Sequence, residues 1–194
     1  MRALKNTCLA YLGKQALLEP ASHQYYNTDN MTDRLAALAT VVNSEDAVLK
    51  GAVLTHFLET YHDYPLVVDK WFLTQATSTA SDTFASVKKL MKHKAFIRNN
   101  PNKVYNLVLA YANNFEAFHR EDGKAYKLLS GFISEIDKKN PTVAARLTRP
   151  LMSFQNFSEP YRSLMEAELK ALQALPHLSK DVSEIVNNAL QGAT

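Results

Sequence analysis

The sequence predicts an all-α fold built from antiparallel helix hairpins. Three observations carry that prediction. Apolar residues recur at helical spacing in segment after segment, and no segment alternates for long as a strand would. Gly numbers 5 and Pro 7 in 194 residues, so turns are few and elements are long. Ser and Asn residues stand just before the apolar-periodic runs, where helix N-caps belong.

Helices are expected over 2–16, 21–29, 31–43, 45–61, 64–78, 82–92, 101–113, 122–138, 141–154, 159–174 and 180–190, with fusions that bring the total to eight or nine. The first is amphipathic from its second residue, and Cys8 is expected to be buried there among Leu4, Leu9 and Leu12. The third carries the stripe Met31, Leu35, Leu38, Ala39 and Val42. The segment 44–61 is apolar on two sides. Ala47, Leu54, Leu58 and Tyr61 form one side and Val53 and Phe57 lie beside it, which predicts a central, buried helix. Val104, Leu107, Val108 and Tyr111 follow Asn100-Pro101, an Asn cap with Pro at the first helical position. The Asp122-Gly123 turn opens the next helix, with Asp122 as its cap. Asn140-Pro141 starts a helix whose stripe is Val143, Leu147, Pro150, Leu151 and Phe154. Ser44, Ser81, Ser158 and Ser179 are expected to cap their helices. Glu45-Asp46 and Glu159 add first-turn negative charge that the helix dipole favours. Short links make neighbours antiparallel, giving either a bundle or a curved α-solenoid. No strict repeat period is visible, so a regular repeat array is not expected.

Composition bounds the function. Residues 1–194 make one all-helical domain or a large piece of one, 46% hydrophobic and 21% charged, as soluble proteins are. A net charge of +3 without an Arg/Lys stripe disfavours a nucleic-acid partner. No apolar run approaches ~20 residues, so no membrane span is expected. A single cysteine forms no internal disulfide and favours a cytoplasmic location. The N-terminus lacks the pattern of a signal peptide and reads as the interior of a helix, as in a segment of something longer.

Candidate chemistry is sparse. His23, His56, His62, His93, His119 and His177 include no His-Glu-x-x-His pair. His56 and His62 lie about 240° apart around a helix and do not face one ion. The expectation is helix-surface or turn histidines. His119-Arg120-Glu121 resembles half of a zinc deaminase motif, but one cysteine cannot supply the other half. Lys88, Lys89, Lys92 and Lys94 fit a solvated helix C-terminus better than a phosphate site. Thr142, Arg146 and Arg149 stand at i, i+4 and i+7 on one face. A solvent face is the simpler reading of that spacing. The alternative is a receptor for a carboxylate or a peptide main chain.

Several words of the sequence are more specific. They are Tyr26-Asn27-Thr28-Asp29-Asn30-Met31-Thr32-Asp33-Arg34-Leu35-Ala36-Ala37-Leu38, then Asp69-Lys70-Trp71-Phe72 with Gln75-Ala76, then the stretch from Met91 to Met152. In order and spacing they resemble the C-terminal helical domain of the bacterial aminopeptidase N family, the alanyl aminopeptidases of the gluzincin peptidases. The resemblance runs from about Arg2 to Leu190. It implies a curved superhelix, forming the last part of the C-terminal domain of a four-domain zinc metallopeptidase. The zinc would be held in the parent's catalytic domain by His-Glu-x-x-His and a further Glu, none of which this chain carries. The implied partners are that catalytic domain and a short peptide substrate. The implied role is to enclose the substrate chamber, and the chain alone is expected to be inactive.

Residue by residue, the resemblance implies a chamber-facing Arg146, from the family pattern Asn-Pro-Gln-Val-Ala-Ser-Arg-Leu. Thr142 replaces the Gln of that pattern, and Tyr105 stands where the family often has Arg. A rival reading keeps the chain as a stand-alone α-solenoid that binds other proteins.

Overall fold

The computed structural model describes residues 1–192. Helix α1 is Arg2–Lys14, α2 Glu19–Asn27, α3 Met31–Val42, α4 Ala47–Tyr61, α5 Pro65–Ala76 and α6 Thr83–Leu90. Helix α7 runs over 101–112 and contains a π-helical stretch, Tyr105–Leu109. Then follow the short α8, Phe115–Phe118, and α9, Lys124–Asp137. Helix α10 is Pro141–Met152, α11 Tyr161–Gln173 and α12 Lys180–Gln191. A 3-10 turn, Phe154–Asn156, follows α10, and no strand occurs among the described residues. The expected segments therefore stay separate instead of fusing. Asn114 shows why at one junction: it caps α8 and is itself buried, donating from Nδ2 to the carbonyls of Ala76 and Ser78 at 3.0 and 2.7 Å.

The caps divide into two groups. Asn100 accepts from the amides of Asn102 and Lys103, Asn140 from Val143 and Ser179 from Val182, as their positions predict. Asp122 accepts from the Lys124 amide at 3.1 Å, and Gly123 takes the left-handed conformation, φ 64°, that a side chain would strain. The other three serines do not cap. Helix α4 is capped by Asp46, which accepts from Leu49 at 2.9 Å, while Ser44 turns back to the Val41 carbonyl. Ser81 gives both its amide and its hydroxyl to Glu45. Ser158 makes no cap, and Glu159 accepts the Ser163 amide instead. At α4 and α11 a nearby carboxylate takes the first-turn amide in place of the weaker hydroxyl, whereas Ser81 is drawn away as a donor to Glu45 and α6 has no side-chain cap.

Two burial expectations fail. Helix α4 is not central: only Lys50, Val53 and Phe57 are buried, and Val48 is 85% exposed. The central position belongs to α5, which buries Val68, Asp69, Trp71, Phe72, Gln75 and Ala76 between α3, α4, α6 and α7. Cys8 is exposed, because α1 buries only Leu9 against its neighbours and leaves Leu4 and Leu12 outward.

Successive hairpins stack as a curved helical solenoid. Helices α1 to α3 form one layer, α3 to α5 the next, then α5 to α7, and finally α9 to α12. One apolar core runs through them from Leu9 to Ala189. The last layer meets the earlier ones through aromatic contacts, with Phe96 on Phe132 at 6.3 Å and Phe118 between Tyr111 and Tyr126. Two polar anchors fix the elements that matter below. Buried Lys103 pairs with buried Asp69 at 2.7 Å and donates to the Pro65 carbonyl at 3.2 Å, tying the first turn of α7 to α5. Asp137, at the end of α9, accepts from the amide and hydroxyl of Ser179 and so sets where α12 begins.

Candidate functional site

Helices α7, α10 and α12 meet at a cleft of about 460 Å3. Its lining contains all three residues singled out in the sequence, Tyr105, Thr142 and Arg146, together with Ala145, Arg149, Asp181, Glu184, Ile185 and Asn188.

Each wall follows from local sequence. Helix α10 buries Val143, Ala144, Ala145, Leu147, Thr148 and Leu151 against its neighbours α9 and α12. Thr142, Arg146 and Arg149 are left on the exposed side. Helix α12 buries Val182, Val186 and Ala189. Asp181, Glu184 and Asn188 lie exposed at i, i+3 and i+7 and face the cleft. Tyr105 opens the π-helical stretch of α7, where an extra residue per turn alters the side-chain register relative to a regular helix. Lys103, two residues earlier, is the buried anchor to Asp69.

The guanidinium of Arg146 sits 4.5 Å from the centre of the Tyr105 ring. The Tyr105 ring offers its negative face to the Arg146 cation. Among the described residues, no carboxylate lies within 4.0 Å of Arg146 or Arg149, and no Lys, Arg or His nitrogen lies that close to Asp181 or Glu184. The cleft thus carries two exposed cations and two exposed anions with no ion-pair partner among the described residues, together with the Thr142 hydroxyl. Sequence reading found the α10 face but missed Asp181, Glu184 and Asn188. Their helical spacing along the polar flank of α12 was visible, but nothing in the sequence says which helix that flank faces.

A larger, more open groove of about 1070 Å3 lies between α1 and α2. Its one buried acid, Asp33, is already saturated. Lys5 approaches at 2.7 Å, Asn6 donates at 2.9 Å and Arg2 stands at 3.6 Å. Hydrogen bonds from Lys5 and Asn6 hold the Asp33 carboxyl well down, at about 2. A spent acid offers a ligand little, so the smaller cleft is the better candidate.

The histidines are partly as expected. His23, His56, His62 and His177 are exposed. His93 and His119 are half-buried, and burial pushes both below the usual histidine range. His119 packs on Phe157 at 4.3 Å between ring centres and bonds the Tyr126 hydroxyl at 2.8 Å. Among the described residues no three His, Cys, Asp or Glu side chains converge as a metal-binding set. No helix there is long and apolar enough to cross a membrane.

The layered hairpins, with a cleft between α7 and the last layer, form a helical-repeat domain. Residues 1–191 match the family described as "Domain of unknown function (DUF3458_C) ARM repeats", and the chain belongs to that family. The repeat is one of structure, since no period is legible in the sequence. The chain is 36% identical over 193 residues to aminopeptidase N of Escherichia coli strain K12, covering 97% of this chain and 22% of that protein. It is 37% identical to aminopeptidase N of Haemophilus influenzae, covering 98% of this chain and 22% of the relative. The match falls in the C-terminal region of aminopeptidase N. Among solved structures, the crystal structure of Legionella pneumophila aminopeptidase A in complex with aspartic acid superposes with a TM-score of 0.91 at 30% identity, over 98% of this chain and 23% of that one. The chain therefore spans about a fifth of the length of the relatives it matches.

Proposed function

We propose that this chain is the terminal helical part of a cytoplasmic zinc aminopeptidase of the aminopeptidase N type, which removes N-terminal residues from short peptides. Its task is to wall the substrate chamber and to receive the carboxylate-bearing end of the peptide. The zinc would be held by the catalytic domain of the parent, outside this chain, and would supply Lewis-acid chemistry there. The chain's own residues bind and orient. Arg146 takes a carboxylate or main-chain carbonyl, Thr142 adds a hydroxyl donor, and Tyr105 holds the guanidinium in place by its ring face.

One observation carries this reading. Arg146 is exposed in a cleft, braced on Tyr105, and has no carboxylate partner among the described residues. Two arginines and a hydroxyl on one face are the donors that carboxylate recognition needs. The likeness to aminopeptidase N supplies the reaction class by analogy.

The test is Arg146→Ala in the full-length enzyme. A charge-assisted hydrogen bond lost from substrate binding raises KM for di- to tetrapeptides about tenfold, with kcat within about twofold. An unchanged KM would remove Arg146 from the site. The isolated chain is expected to release no chromophore from an aminoacyl chromogenic substrate, and metal-dependent turnover by it would overturn the account.

A further inference from the structure

The cleft has a second wall that the reading above leaves unused. Arg146 and Arg149 stand on α10, while Asp181 and Glu184 stand on α12. The two signs are segregated by helix, and no ion pair within 4.0 Å closes across the gap. Ala145 and Ile185 supply apolar surface within the same cleft.

We propose that Asp181 and Glu184 form a specificity wall, selecting peptides with a Lys or Arg side chain next to the carboxylate that Arg146 receives. The inference rests on the Arg146 reading and extends it to substrate class. A ligand with both signs satisfies both walls at once. A ligand that is anionic throughout gains on α10 and is repelled by α12. A Lys or Arg side chain also suits the lining, because its apolar stem covers Ala145 and Ile185 while its charged head reaches the acids. Both acids are exposed, so each pair is a modest, screened interaction. Two of them amount to roughly three- to tenfold in affinity at low salt.

The experiment titrates the 194-residue chain with Ala-Ala-Lys, Ala-Ala-Ala and Ala-Ala-Glu, following resonances of α7, α10 and α12 by NMR. Ala-Ala-Lys should bind about three- to tenfold more tightly than Ala-Ala-Ala at low ionic strength, and Ala-Ala-Glu should bind least tightly. The double variant Asp181→Asn, Glu184→Gln should abolish the Lys preference and leave Ala-Ala-Ala within about twofold of wild type. Equal affinities for the Lys and Ala peptides in wild type, or a Lys preference that survives the double variant, would overturn the inference. Arg146→Ala separates the two levels. If it weakens Ala-Ala-Ala while wild type shows no Lys preference, the Arg146 reading stands and the acidic wall falls. If no peptide depends on Arg146, or none binds, both fall together.

Discussion

Lys103 and Arg146 both place a cation against an aromatic ring beside α7, yet they do opposite things. Lys103 is 5% exposed, lies over the Phe72 ring at 5.6 Å and is locked to Asp69. Arg146 is exposed, lies over the Tyr105 ring at 4.5 Å and meets no carboxylate among the described residues. Burial makes the first a structural fixture, because an ion taken out of water must keep its partner. Exposure makes the second available, because water pays for an unpaired guanidinium until a ligand replaces it. The difference separates anchor from site, although Lys103 and Tyr105, the ring beneath Arg146, stand two residues apart on α7.

The largest expected effect breaks the anchor. Lys103→Ala leaves the Asp69 carboxylate buried and unpaired, and should cost about 3–5 kcal/mol of stability by urea unfolding. Replacing both partners, Asp69→Leu with Lys103→Met, should recover most of that loss, since apolar groups of similar size need no pairing. Arg146→Ala should leave stability within about 0.5 kcal/mol, as exposed positions do. If Lys103→Ala costs no more than Arg146→Ala, the contrast between them is wrong.

A smaller effect concerns the wall opposite Arg146. Asp137 accepts two hydrogen bonds from Ser179 and is itself buried. Asp137→Ala orphans the start of α12 and should cost about 2 kcal/mol. Hydrogen exchange should speed up in the first turn of α12 while the amides of α5 stay protected. Uniform loss of protection would mean that Asp137 supports the whole core and not the cleft wall.

Much of this was legible in the sequence. The Asn-Pro starts at 100 and 140 located α7 and α10 because both the cap and the proline act within one turn of helix. The α10 face was legible for the same reason, since i, i+4 and i+7 are fixed by helical geometry. What was not legible depends on partners far along the chain. Ser81 looks like a cap until Glu45, 36 residues away, takes its amide. Helix α4 looks central because it is apolar on two sides, yet packing fully buries only Lys50, Val53 and Phe57 and only half-covers Leu54, Leu58 and Tyr61. Asp181 and Glu184 were invisible as site residues until α12 was seen against α10. The π-helical stretch at Tyr105 left no local signal, since Val104, Leu107, Val108 and Tyr111 fit a regular helix.

The smallest effect at working pH returns to the other groove and its spent acid. The Asp33 carboxyl is held at about 2, against an ordinary value of 3.8, first by its hydrogen bonds from Lys5 and Asn6. A carboxyl lowered on folding contributes stability above its unfolded pKa, and that contribution is lost as pH falls through the folded value. The window therefore lies between about pH 4 and pH 2, and nothing should change near neutrality. Urea midpoints measured from pH 5 to pH 2 should fall more steeply for wild type than for Asp33→Asn, which has no proton to gain there. Glu45, Asp122 and Glu159 are also lowered by their hydrogen-bond partners, but they titrate in both proteins and cancel from the difference. Parallel curves would show that Asp33 is not the saturated acid described, and the α1–α2 groove would then compete with the cleft as the place where this domain meets a charged ligand.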